Sequence, residues 1–192
     1  MSGQMSDVVV IGDEEFALVE PVSGSLFDVR AHGLKPVMMQ TASTRGELAR
    51  YRIDGDGNLL LSDLQVGSVD APPELNGVTP STDEYGQVWT YLELDLPIAF
   101  TGDIIVGADP ILDLYVHTGF LPAWHYERVT ALDVEQGIVQ SSEDRTAEVA
   151  AYRAERSGPD AVPEEEGAFE RFLDSIKLRL GFGDEDAPTD QV

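Results

Sequence analysis

Five residues have side chains whose types and spacing could form a ligand-binding site: Asp113, Tyr115, His117, Trp124 and His125. A strand over 112–117 would place Asp113, Tyr115 and His117 on one face, because neighbouring side chains of a strand point in opposite directions. Asp113 could then orient the His117 imidazole as a general base or ligand. Trp124 would form the wall of a small-molecule pocket, and His125 would return beside the strand after a turn.

A plainer interpretation competes with this one. Polar residues on the outward face of a strand are ordinarily solvated, and a tryptophan beside them fills a core or covers a sheet edge. His117 and His125 are eight residues apart and no HExxH pattern is present, so no metal site is predicted. The sequence also lacks glycine-rich nucleotide-binding loops and a nucleophile elbow. We therefore predict no catalytic residue and no cofactor.

One acidic segment begins like a calcium-binding loop, with Asp54, Asp56 and Asn58 at alternate positions. An EF-hand loop needs glycine at its sixth position and glutamate at its twelfth. Here those positions hold Leu59 and Gln65. The pattern instead predicts a β-hairpin, because Asp and Gly residues supply the backbone conformations of a tight reversal.

The C-terminal region contains a predicted amphipathic helix over 163–180. Apolar residues fall on one stripe of this helix. Four of them are candidates for contact with a protein partner or with a second copy of the chain: Phe169, Phe172, Leu173 and Ile176. The plainer alternative is that the helix docks on the remainder of its own chain.

The chain is strongly acidic, with 36 acidic and 12 basic residues and a net charge of −24. Such a surface repels polyanions, so neither nucleic acid nor an anionic membrane is a predicted partner. At about 1 M salt the Debye length falls to about 3 Å, and repulsion among the surface charges largely disappears. We predict adaptation to a salty cytoplasm; an ordinary acidic protein with a solvated tail is the alternative.

The absence of cysteine excludes disulfides and cysteine-based zinc sites. The N-terminal sequence has no basic region before its first apolar run, and no apolar run approaches the ~20 residues of a membrane span. These features predict a soluble protein of the cytoplasm.

Short apolar runs separated by turn residues over 7–140 predict a mainly β fold, an antiparallel barrel or twisted sandwich, with two C-terminal α-helices. The predicted organisation is a β-rich domain over 1–142, a helix packed on that domain over 143–157, a linker and amphipathic helix over 158–183, and an acidic disordered tail over 184–192.

Three local predictions bear on where side chains point. After Arg45 the sequence favours a strand over a short helix that a Thr44–Glu47 capping box would open. The strand should place four residues on one face: Glu47, Ala49, Tyr51 and Ile53. A long strand should run from Val88 to Leu96. Ser142 should cap a helix that extends from Arg145 to Arg156.

Two function classes follow from these features. The first is a non-enzymatic binding or interaction module that acts through a sheet face or through its terminal helix. The second is a small-ligand-binding or hydrolytic β-barrel enzyme that uses Asp113, His117 and His125. The sequence favours the first, because a sound core pattern accompanies no recognisable catalytic spacing.

Overall fold

The computed structural model describes residues 3–20, 26–115 and 119–156. The chain divides into two compact units, Met1–Arg153 and Ala154–Val192. Of the second unit, only 154–156 are described, and they end a helix. Among the described residues, no helix has the length and hydrophobicity of a membrane span.

Ten strands form one sheet within the described residues. Their order across the sheet is β10-β9-β8-β2-β1-β3-β4-β6-β5, with β7 paired to β4. Their bounds are β1 Val8–Ile11, β2 Glu14–Glu20, β3 Glu47–Ile53, β4 Leu59–Gly67, β5 Ser81–Thr82, β6 Val88–Tyr91, β7 Leu96–Pro97, β8 Gly102–Pro110, β9 Tyr126–Glu135 and β10 Ile138–Asp144.

The sheet confirms the mainly β prediction but is mixed rather than wholly antiparallel. The strands β1 and β3 run parallel, with Val8 opposite Arg50, whereas the other strand pairs are antiparallel. The sheet is not closed. It curls enough for the β9–β10 turn to reach the start of β4, where Leu59 N–H donates to the Gly137 carbonyl at 2.8 Å.

The hairpin predicted after Ile53 is confirmed. β3 and β4 pair in antiparallel register, and the loop between them is organised by the Asp54 carboxylate. One oxygen of that carboxylate accepts the backbone N–H of Asp56 at 2.9 Å and that of Asn58 at 2.8 Å. The Asn58 side-chain amide also donates to Asp54, and these bonds lower the pKa of Asp54. The acidic residues here build a turn.

The strand predicted from Val88 to Leu96 is wrong beyond Tyr91. Glu93 and Asp95 have φ angles of 54° and 43°, in the left-handed region that interrupts a strand. The chain turns there because Leu94 N–H donates to the Ser62 carbonyl at 2.7 Å. As a result, Leu94 is buried while Leu92 is 58% exposed.

The main core lies on the concave, inner face of the curled sheet. It includes large side chains that are fully or almost fully buried, among them Tyr51, Leu61, Val66, Tyr91, Ile104 and Leu132. At about 25 cal/mol per Å² of apolar surface removed from water, such residues dominate the stability of a sheet this size. The alternation predicted for Glu47, Ala49, Tyr51 and Ile53 agrees with this face, since Ala49 and Tyr51 belong to the core.

A single helix among the described residues, α1 (Thr146–Arg156), covers part of the opposite, outer face of the sheet. Arg145 N–H donates to the Val129 carbonyl, and Thr146 Oγ1 accepts the Val129 N–H, so the helix start is fixed against β9. Val149 and Tyr152 are buried on the sheet side of α1. Several buried residues that are not part of the main core lie on this side of the molecule: Val19, Ile105, Ala123, Tyr126, Val129, Val149 and Tyr152.

The cap predicted for this helix is wrong. Ser142 lies within β10, and the Asp144 carboxylate instead accepts the Thr146 N–H at 2.9 Å. This interaction lowers the pKa of Asp144. The helix predicted over 163–180, with Phe169, Phe172, Leu173 and Ile176, lies outside the described residues.

Candidate functional site

The predicted strand over 112–117 is replaced by a 3-10 turn at Leu112–Leu114. Leu114 N–H donates to the Ile111 carbonyl at 3.0 Å, which closes the chain into a turn and ends the alternation of side chains. Asp113 is exposed on this turn, and Tyr115 follows it in extended conformation. His117 lies outside the described residues.

Trp124 and His125 lie in a second 3-10 turn, Ala123–His125, next to α1. The Trp124 ring packs edge-on against His125 with centroids 5.7 Å apart, and it lies 5.5 Å from the Tyr152 ring of the helix. His125 is buried, and its Nδ1 has no hydrogen-bond partner. Burial and the nearby Arg153 lower the pKa of His125. Both predicted residues therefore pack beneath a helix.

The predicted pairing of Asp113 with His117 stays a prediction, because His117 lies outside the described residues, but Asp113 and His125 are not brought together. Asp113 is exposed and His125 is buried, and no described hydrogen bond or ion pair joins them.

A groove of about 370 Å³ lies on the outer face of the sheet and is here called the outer groove. It crosses β1, β3, β4 and β6, which are neighbours in the sheet. Its lining comprises Met5, Ser6, Val8, Leu48, Ala49, Arg50, Asp63, Leu64, Gln65, Thr90 and Leu92. Val8, Leu48 and Thr90 alternate along their strands with core residues, so these three side chains face away from the core. Helix α1 lies against β9 instead.

A second cavity of about 270 Å³, here called the side pocket, lies next to the outer groove. It is bounded by Gly3, Gln4, Met5, Ser6, Ala17, Tyr115, Gly119, Leu121 and Tyr126. Of the four sequence candidates that the structure describes, Tyr115 alone lines this pocket. Burial raises the pKa of Tyr126, whose hydroxyl interacts with the Ser6 side chain, so this phenol stays neutral. The side pocket thus has two aromatic walls and hydroxyl groups.

The segment Gly3–Asp7 separates the two cavities, since Met5 and Ser6 line both. Its backbone is held at two points, where Gln4 N–H donates to the Gly119 carbonyl and Met5 N–H donates to the Ala42 carbonyl. Asp7 anchors its end. The Asp7 carboxylate, almost fully buried, accepts bonds from Arg45 at 2.8 Å and from Ala49 N–H at 3.0 Å.

Charged residues beside the outer groove are mostly acidic. Arg50 is paired with Glu15 at 2.6 Å and lies 3.8 Å from Asp63, while Arg52 is paired with Asp95 at 2.7 Å. The Asp63 carboxylate also accepts the N–H of Glu93 at 3.1 Å. Four acids therefore accompany two arginines, and both arginines are already neutralised.

Sequence reasoning missed one unusual carboxyl group, that of Glu47. Its position on the same strand face as Ala49 and Tyr51 was a signal, because an acid among core residues must be desolvated. Burial raises the pKa of Glu47, and its Oε2 is buried without a hydrogen-bond partner. The positive charges of Arg45 and Arg30 lower the same pKa. Glu47 lines neither the outer groove nor the side pocket, so its carboxyl group bears on stability.

No three His, Asp or Glu side chains in the described part of the chain are arranged to hold a metal ion. No protein-family model, curated protein or solved structure matches the chain.

Proposed function

We propose that this chain is a non-enzymatic binding module that holds its partner on the outer face of the sheet. The observation that carries this proposal is the outer groove, an apolar concavity on a sheet face that no described element covers. Sheets ordinarily bury such a face, as α1 does at β9. Leu92 and Met5 are 58% and 45% exposed in the groove, and exposed apolar surface next to a polar rim marks interaction sites.

The absence of cysteine gives a direct test by site-specific cross-linking. Leu92→Cys creates one thiol in the groove, and Val69→Cys creates a matched thiol at an exposed apolar residue that lines a different depression. A photoreactive maleimide on each variant is then irradiated in extract from the source cells. We expect a discrete adduct from position 92 alone. Equal adducts from both positions, or none from either, would contradict the proposal.

The small-ligand alternative retains support from one observation, the presence of Tyr115 in the side pocket. Pockets with aromatic walls and a few polar groups are typical of small-molecule sites, although 270 Å³ is near the lower end of their size range. A fragment screen by thermal shift tests this version. A compound that stabilises the wild type and fails to stabilise Tyr115→Ala would support it; equal shifts in both proteins would remove it.

The predicted C-terminal helix remains a second proposed contact region. It is supported by its apolar stripe and by the separation of the chain into two compact units. Deletion of 158–192 should change the oligomeric state or abolish cross-linking to a partner if the helix acts this way. Unchanged behaviour in both assays would exclude it.

We also propose that the sheet is a partly open barrel. The support is the isolated bridge between Asn58 and Ile138, which joins β4 to the far end of the sheet order, together with the Val139 N–H that donates to the Gly57 carbonyl at 2.9 Å. Slow amide exchange at Leu59 and Val139 would support this closure, and rapid exchange at both would contradict it.

A further inference from the structure

We propose that the occupant of the outer groove is an amphipathic peptide helix of a partner protein, with apolar residues on one side and lysine or arginine at its edges. This inference rests on the proposed binding function and specifies the chemistry of the partner. Three properties of the groove lead to it: its length, its apolar floor and the sign of the charge beside it.

The length of the groove fits a short helix. Four neighbouring strands, with three spacings of about 4.8 Å, give a width of about 14 Å across the sheet. A helix rises 1.5 Å per residue, so about nine residues span this distance. The volume of about 370 Å³ suits a few inserted apolar side chains better than a whole folded domain.

The floor of the groove selects apolar side chains. Val8 and Leu48 line it, and the exposed Leu92 stands at one side. Helix-in-groove recognition uses two or three apolar anchors at i, i+3 or i+4, and i+7 spacing. The apolar anchors of such a peptide would cover the exposed parts of Leu92 and Met5 and remove them from water.

The charge beside the groove selects a cationic peptide. Arg50 and Arg52 already have carboxylate partners, so an anionic peptide would meet no unneutralised arginine there. Exposed carboxylates accompany these arginines: Glu15 pairs with Arg50 and Asp95 pairs with Arg52, while Glu93 is joined through its N–H to Asp63 of the groove. The overall charge of −24 further favours the approach of a cation and repels an acidic partner.

Three dye-labelled peptides of about 14 residues test the inference on the full chain. The first places leucine on one face and lysine on the other. The second keeps the leucines and carries glutamate in place of lysine. The third keeps the lysines and carries serine in place of leucine. Fluorescence anisotropy is measured at about 0.15 M and about 1 M potassium chloride.

We expect the leucine–lysine peptide to bind at least about tenfold more tightly than either of the others, since each lacks one of the two recognised features. Leu92→Ser should weaken it about five- to twentyfold, because the contact of one leucine is lost. Val69→Ser, an equivalent change outside the groove, should leave its affinity unchanged. Asp95→Asn should weaken it at low salt and have less effect at high salt.

The possible failures are distinguishable. Equal binding of the leucine–lysine and serine–lysine peptides would show nonspecific attraction to an acidic surface and overturn the inference. Preference for the leucine–glutamate peptide, with sensitivity to Leu92→Ser, would refute the cationic partner while leaving the proposed groove function intact. Dimerisation that Leu92→Ser abolishes would assign the groove to a second copy. Peptide binding that appears only after deletion of 158–192 would assign the groove to that segment of the chain. Dimerisation through the groove and occupation by this segment would each overturn the inference.

Discussion

Replacement of Asp7 by alanine should be among the most destabilising single changes at the outer face. The Asp7 carboxylate is 1% exposed, while the Arg45 side chain that pairs with it is 25% exposed. Breaking a buried ion pair by removing one partner costs about 3–5 kcal/mol, because the other charge stays desolvated. Arg45 can recover some hydration, so we expect about 3 kcal/mol, near the lower end of that range.

The contacts of Asp7 also predict a graded series. Asp7→Asn keeps an oxygen that can accept the Ala49 N–H, which bonds to Asp7 at 3.0 Å, but it removes the charge opposite Arg45. The loss should be about 1.5–3 kcal/mol, the value of a hydrogen bond to a charged group. Glu15→Gln removes a carboxylate that is 60% exposed, and its effect should be small.

Urea unfolding followed by circular dichroism at about 1 M potassium chloride measures this series with the surface charges screened. The expected order of stability is wild type and Glu15→Gln, then Asp7→Asn, then Asp7→Ala. A loss below about 1 kcal/mol for Asp7→Ala, the scale of a surface ion pair, would refute the buried anchor. The segment that separates the two cavities would then lack its support.

Four further predictions concern pH, packing and salt. Glu47→Gln should raise the melting temperature at pH 7, because burial raises the pKa of Glu47 and the ionised carboxylate therefore destabilises the fold. This gain in melting temperature should vanish as the pH falls toward 4.5, the ordinary pKa of a glutamate. The lowered pKa of His125 means that the unfolded chain binds a proton more readily, so stability should fall as the pH drops below 6.5, and His125→Gln should flatten that slope. Gly107→Ala should cost about 1–3 kcal/mol, because its Cβ would lie 2.6 Å from the Tyr126 ring, whereas Gly55→Ala meets open space. The melting temperature should rise steeply between low and molar potassium chloride.

Distinct outcomes would contradict each of these. An unchanged gain for Glu47→Gln at low pH would show that the substitution acts through packing. If wild type and His125→Gln lose stability equally as the pH drops below 6.5, the buried imidazole is not a source of the pH dependence. Equal effects at Gly107 and Gly55 would show that Tyr126 does not pack over Gly107. A flat salt response would count against halophilic adaptation.

The hairpin between β3 and β4 was predictable because its signals are local. The apolar alternation on both sides and the Asp54–Asn58 turn are encoded within a few residues, and the Asp54 side chain makes its bonds within that turn. The general mainly β architecture follows from many such signals.

The errors arose where distant contacts override local alternation. The run after Tyr91 alternates like a strand, yet the Ser62 carbonyl draws Leu94 inward and leaves Leu92 exposed. The parallel pairing of β1 with β3 is likewise a long-range choice. The outer groove is formed by strands from separate parts of the chain, so no short stretch of sequence indicated it.

The most direct test of the groove is a methyl NMR spectrum of the chain labelled at its methionines, recorded with the leucine–lysine peptide. Met5 lines the groove, and Met38, which is 61% exposed, serves as an internal control outside it. We expect the Met5 methyl signal to shift with peptide concentration while the Met38 signal stays in place, and we expect Leu92→Ser to weaken the response. A Met5 signal that does not move while the peptide binds, or equal shifts at both methionines, would contradict this expectation.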